Sequence, residues 1–227
     1  MSAPAGALEL GDGAWVLFTD RAHGNLSSVG GEGCEHGAAA RERLRELIGA
    51  RSLARGYQVH GTLVRQVLAA EPDADVPAAR ADGQATATPG IAPFVLSADC
   101  LPVALAGGGA VAMVHAGWRG LAAGVLERGV EALRELQAMS GEIVALVGPG
   151  AGPCCYEVGE EVHAAFGGRH RHGRNIDLRA IARDRLLAAG VASAAAHGGC
   201  TICDERHFSH RREGVRAGRQ GGVAWLS

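Results

Sequence analysis

Three side chains able to hold a soft or borderline metal ion stand in short strand-like settings: His60 in QVHG, Cys100 in SADC and His115 in VHAGWRG. Two imidazoles and one thiolate suit zinc, and three protein ligands leave a fourth position for water or substrate, the pattern of a catalytic rather than a structural site. Zinc also brings the pKa of water that it binds near neutrality. The same residues admit a second chemistry, with Cys100 as a thiolate nucleophile and His115 or His60 as its base. A third reading makes them packed core residues, since Cys is among the most buried types and His is often partly buried. They lie far apart in the chain and match no local zinc signature, so residue types alone leave all three open.

Other candidates are less specific. Cys200 and Cys203 in CTICDERH form a CxxC, which is half of a structural zinc site or a redox pair. No second CxxC accompanies it, Cys154 and Cys155 lack the spacing of one, and a thioredoxin-type βαβ setting is missing, so a structural or incidental role is expected. His207 and His210 are the neighbours on which a second metal site would draw. The glycines of GPGAGPCCYEVG can expose backbone N–H groups to an anion, although a plain turn explains them as well. Arg211 and Arg212 stand where a phosphate or carboxylate can be held, or where a solvated basic loop runs.

The elements that must position these residues follow from periodicity. Residues 14–18 (AWVLF) read as a strand, residues 19–37 as a long polar loop, and residues 38–50 as an amphipathic helix with Leu44, Leu47 and Ile48 on one face. YQVHGTLVRQV reads as a strand pair or a bent strand containing His60, followed by an exposed Ala/Asp/Pro-rich connection through Arg80. Strands are expected at residues 94–97, 103–106 and 110–114, with Gly107, Gly108 and Gly109 as a hairpin turn. A helix over residues 121–136 and a strand in EIVALVGPG complete a strand-helix-strand unit. Helices near residues 157–166 and 178–189 and a terminal strand at 223–226 finish the chain.

The 227 residues are 47% apolar with a formal net charge of -2, so one domain with a sizeable core is expected and bulk charge indicates neither a nucleic-acid nor a membrane partner. Arginine supplies all 22 basic residues, which reads as genome composition rather than as a binding property. The N-terminus lacks the basic start and long apolar run of a secretory signal, so a cytoplasmic, reducing setting is expected for the six cysteines. Residues 1–13 read as a tail and 14–227 as the core of a single domain spanning 1–227.

In order along the chain, QVHG (58–61), ADG with Thr86 and PG (81–90), SADCLPV (97–103), HAGWRGL (115–121), GPGAGPCCYEVG, NIDL (175–178), CT (200–201), FSHRREG (208–214) and GR (218–219) resemble the YfiH family. This laccase-domain group is variously described as polyphenol oxidase, purine nucleoside phosphorylase or peptidoglycan editing factor. The resemblance runs from Trp15 onward. It implies an α+β fold of layered mixed sheets with outer helices, similar to the catalytic domain of cytotoxic necrotising factors. It also implies a zinc ion on His60, Cys100 and His115, in a pocket that takes a purine nucleoside. The implied reactions are phosphorolysis of adenosine, inosine, guanosine or methylthioadenosine to base and pentose 1-phosphate, and deamination of adenosine. Small-molecule nucleoside and phosphate are then the partners, and a monomer is expected. The alternatives are a hydrolase editing mis-built UDP-muramyl cell-wall precursors, a Cys-His hydrolase and a non-catalytic module. A copper polyphenol oxidase needs more clustered histidines than these motifs supply, though copper can occupy a zinc site in vitro.

For deamination, Asp99 is the nearest candidate acid or base beside the metal. For phosphorolysis, Arg21, Arg211 and the loop of residues 148–154 are candidates to hold the anion. The first loop, TDRAHGNLSSVGG, is compressed relative to the family pattern, with Arg21 and Asn25 as counterparts of an Arg and an Asn that contact substrate. His207-Phe208 replaces a commoner Phe-Phe pair.

Overall fold

Along residues 101–107, Val103 and Leu105 alternate with Ala104 and Ala106, and all four are buried. Successive strand side chains point to opposite faces, so such a run needs cover on both sides. The computed structural model, which describes residues 3–11, 13–136 and 141–227, supplies it: Ala104 and Ala106 pack against a second sheet, Val103 and Leu105 against helices. The fold is a single α+β domain with mixed sheets.

The first sheet has the order β1 (Leu8–Gly11), β2 (Ala14–Phe18), β13 (Gln220–Leu226), β6 (Ile91–Ser97), β3 (Ser52–Ala54). The second runs β12 (Ser193–Ala196), β9 (Val144–Val147), β7 (Leu101–Gly107), β8 (Ala110–Ala116), β5 (Gly83–Thr86), β4 (Val64–Gln66). A two-residue pair, β10 (Arg171–His172) and β11 (Asn175–Ile176), stands apart. Helix α1 (Gly37–Leu47) packs Ala40 and Leu44 on the outer face of the first sheet, against Leu53, Phe94 and Val223. The outer face of the second is covered by α2 (Trp118–Ala123), α3 (Val125–Leu136), α4 (Glu160–Ala165) and α5 (Leu178–Ala188). The short α6 (His210–Glu213) precedes the last strand.

Several expected elements are present: β2, the β7–β8 hairpin turning at Gly108 and Gly109 with positive φ, α5 and the terminal strand. The helix expected over residues 121–136 is two helices, because Gly124 at φ 102 ends α2 in a left-handed cap. Strand β1 lies within the stretch read as a tail, of which residues 1, 2 and 12 are outside the described residues. His60 is not in a strand. Its segment loops between β3 and β4, and His60 itself has φ 59. Among the described residues no helix is long and apolar enough to cross a membrane.

The helix layer rests on residues such as Leu126, Val130 and Leu133, spaced to share one face of α3 and all buried. Leu133→Ala is expected to cost about 2–5 kcal/mol of stability in urea unfolding. A loss below about 1 kcal/mol would show that this layer is not packed as described.

Candidate active site

The chain passes from the first sheet to the second through a tight connection between β6 and β7, and Cys100 is its last residue. The antiparallel register pairs Leu101 with Ala116 and Pro102 with His115, so hairpin geometry alone sets Cys100 beside His115. On the other side of β8, Gly83 pairs with Val114, and the His115 N–H donates to the carbonyl of Asp82 at 2.6 Å.

Asp82 then reaches in two directions. Its Oδ1 accepts from His115 Nδ1 at 2.9 Å and from the His60 backbone N–H at 2.9 Å. Its Oδ2 accepts from Val59 N at 3.1 Å and Gly61 N at 2.7 Å. The carboxylate is fully buried, where unpaired charge would be costly, and these four donors satisfy it. Gln58 ties the same loop to the first sheet, donating to Leu96 O and accepting from Leu96 N, each at 2.8 Å.

This scaffolding brings His60, Cys100 and His115 together, their ligand atoms all within 4.8 Å of one another. Cys100 Sγ is 3.7 Å from His60 Nε2, and the two imidazoles meet edge to face at 4.9 Å between centroids. With Nδ1 of His115 held by Asp82, its Nε2 is left for the cluster, the arrangement in which an outer carboxylate orients a metal-ligating imidazole. Gly117 permits the approach: a Cβ there would lie 2.6 Å from His60 Cδ2 and 3.0 Å from Cys100 Sγ. The donor set, its orientation and this tight packing fit a single zinc ion with an open position.

Electrostatics links the three residues. Burial pushes the Cys100 thiol up, but the facing His115 and His60 outweigh it and hold it at about 6. Burial pulls His115 down, yet Cys100 and Asp82 together raise it to about 9. Burial likewise raises Asp82, while His115 and the N–H groups of Gly61 and Val59 bring it below its ordinary value. Without a metal, both shifts act in one direction, favouring a thiolate on Cys100 beside an imidazolium on His115.

The cluster opens into a cleft of about 580 Å³, a volume suited to a small organic ligand. Its walls include Tyr57, Trp118, Tyr156 and the arginines Arg119, Arg211 and Arg219. The Arg119 guanidinium lies 4.4 Å over Trp118 and that of Arg211 4.8 Å over Tyr156. Asp99 also lines the cleft, but both its oxygens are engaged: Oδ1 accepts from Thr201 Oγ1 and Oδ2 from Arg211 N, each at 2.7 Å.

Arg21 and Asn25 lie outside the cleft lining. Arg21 pairs with Glu213 and sits over the Phe208 ring at 4.3 Å, while Asn25 accepts from Ser27 N and Arg219 N and donates to Glu32 O. The loop of residues 148–154 is outside it as well, and Gly148, Ala151 and Gly152 spend their N–H groups on Pro102 O, Asp99 O and Cys200 Sγ. Arg212 is directed at the carbonyls of Thr201 and Ile202. Of the predicted substrate contacts, Arg211 alone faces the cleft. Sequence reasoning assigned no role to Asp82, Trp118, Arg119 or Tyr156, although each stands within or beside a quoted motif. Cys154 and Cys155, which lack CxxC spacing, nonetheless meet Cys200 and Cys203 in space.

Against known proteins, the family described as "Multi-copper polyphenol oxidoreductase laccase" matches residues 18–227. This chain belongs to that family, the YfiH family. A "Purine nucleoside phosphorylase" of Xylella fastidiosa (strain Temecula1) is 41% identical over 95% of this chain and 89% of its own length. "Purine nucleoside phosphorylase YfiH" of Escherichia coli is 39% identical over 74% of this chain and 72% of its own. Among solved structures, Neisseria meningitidis NMB0706 covers 97% of this chain and 98% of its own with a TM-score of 0.79 at 27% identity. The fold and the ordered motifs of this YfiH-family chain thus agree.

The thiolate–imidazolium pair has a direct readout. In chelator-treated protein, alkylation of Cys100 followed by peptide mapping is expected to rise through a pH of about 6 and then level off. The sign follows from the imidazoles stabilising the thiolate. A midpoint at the ordinary thiol value of about 8.5 would show that they do not act on it.

Proposed function

We propose that this chain is a zinc-dependent purine nucleoside phosphorylase that also deaminates adenosine. The observation that carries the reading is the opening of the His60–Cys100–His115 cluster into a cleft walled by aromatic rings and arginines. The names of its relatives support the phosphorylase part of that reading. Zinc rather than a multicopper centre is favoured because no further histidine cluster adjoins this one among the described residues.

In phosphorolysis, a phosphate oxygen forms a bond to the ribose C1′ while the C1′–N9 bond breaks, and the base leaves and takes up a proton. The chain must then hold a phosphate dianion and a flat apolar base in one orientation. Arg119 and Arg211 carry the charge for the first task, and Tyr156 and Trp118 offer the apolar surfaces for the second. A zinc ion on the three ligands would supply Lewis acidity toward the oxygen ligand at its open position. Asp99 is assigned a positioning role, since Thr201 and Arg211 already occupy its carboxylate and it holds the turn that presents Cys100.

Incubation of inosine with phosphate, followed by chromatography, is expected to yield hypoxanthine. Adenosine without phosphate is expected to yield inosine. Loss of a charged hydrogen-bond partner costs about 1.5–3 kcal/mol, so Arg119→Ala should raise the KM for phosphate by roughly tenfold to a hundredfold. Phosphate-free deamination should change by less than about twofold, an amount below 0.5 kcal/mol. No base release from any of the four purine nucleosides by metal-replete protein would overturn the proposal.

A further inference from the structure

A second cluster, of four cysteines, lies in two loops that are hydrogen-bonded to Asp99. Cys154 and Cys155 sit in the loop after β9, and Cys200 and Cys203 in the turn after β12. All four sulfurs lie within 4.8 Å of one another. Cys203 Sγ is 2.9 Å from Cys155 Sγ and 3.3 Å from Cys154 Sγ. One sulfur facing two others in this way cannot be bonded to both. Nor is the adjacent pair suited to bond to itself, since neighbouring Cα atoms about 3.8 Å apart fall short of the usual disulfide span.

We propose that Cys154, Cys155, Cys200 and Cys203 form a structural tetrathiolate site for one zinc ion. With Zn–S bonds of about 2.3 Å, tetrahedral sulfurs are separated by roughly 3.8 Å, within the range spanned here. The spacing is too small for an iron–sulfur cluster, whose thiolates surround several metal atoms. Four protein ligands close the coordination, which separates this site from the three-ligand cluster in the cleft. The Gly152 N–H donates to Cys200 Sγ at 3.2 Å, a contact that favours a thiolate.

The two loops that the ion would join lie behind the cleft and are bonded to the turn and side chains that face it. Thr201 N donates to Gly150 O at 3.0 Å and Ala151 N to Asp99 O at 2.8 Å. Thr201 Oγ1 binds the Asp99 carboxylate, whose other oxygen receives Arg211 N. Tyr156, which follows Cys155 directly, donates its N–H to Gly152 O at 2.9 Å and turns toward the cleft. The ion would thus lock Tyr156, Arg211 and the Cys100 turn in place without touching substrate.

The test uses the full-length chain, purified under reducing conditions and analysed for zinc. In the Cys100→Ala variant, which lacks the thiolate of the cleft cluster, about one zinc per chain should persist, held by the four other thiols. The Cys100→Ala/Cys203→Ser double variant should lose it. In case that variant does not fold, thiol labelling of the wild type supplies a second reading. With zinc bound, Cys154 and Cys203 should resist alkylation despite their exposure, and chelation should release all four cysteines to the reagent. Zinc content indifferent to Cys203, full labelling of Cys154 and Cys203 in saturating zinc, or a non-reduced mass short of the two hydrogens of a disulfide would each overturn the assignment. None of these readouts depends on nucleoside turnover, so failure here and failure of the phosphorylase reading are separable.

Discussion

The site depends on a buried carboxylate. Asp82 receives three consecutive backbone N–H groups from the His60 loop and the Nδ1–H of His115, so one side chain sets the positions of two of the three clustered residues. A buried charge of this kind persists only when its hydrogen bonds are complete, and the requirement runs both ways. The loop adopts its shape, including the left-handed conformation of His60, because the carboxylate is there to collect its donors. His115 keeps one nitrogen turned to the cluster because the other is held.

The third member, Cys100, is positioned by the sheets. The crossing from β6 to β7 must be short because the two sheets are packed face to face through Val95, Ala104, Met113 and Ala224. Asp99 absorbs the turn at φ 88, and its carboxylate is bound by Thr201 of a later turn and by the first turn of α6. Cys100 on the turn, His115 at the end of β8 and His60 on an anchored loop converge where both sheets end. The cleft forms there, walled by these loops and by the first residues of α2 and α6.

Legibility in the sequence follows how local each signal is. The β7–β8 hairpin was legible because three glycines separate two β-type runs, and α5 because its apolar positions recur at helical spacing. Strands β3, β5 and β12 are three or four residues long and carry Gly, Ala and Ser, so they have no periodicity to detect. His60 was misplaced in a strand because VHGTLV resembles one, and the bonds that bend it come from Asp82, on another strand. Asp82 gained no role from sequence for the same reason: its function exists only in the register of β5 against β8. The cysteine cluster was missed because Cys154-Cys155 is not a CxxC, and parallel pairing of β12 with β9 supplies the missing pair through space.

The organising role of Asp82 is the point on which the cleft cluster rests. It is tested most directly by measuring the zinc affinity of the His60–Cys100–His115 cluster in Asp82→Asn protein and in wild type, by competition with a chromophoric chelator. Removing an outer carboxylate of this kind typically weakens metal binding by about 10- to 100-fold, and a loss of that size is predicted. Equal affinities in the two folded proteins would contradict the account.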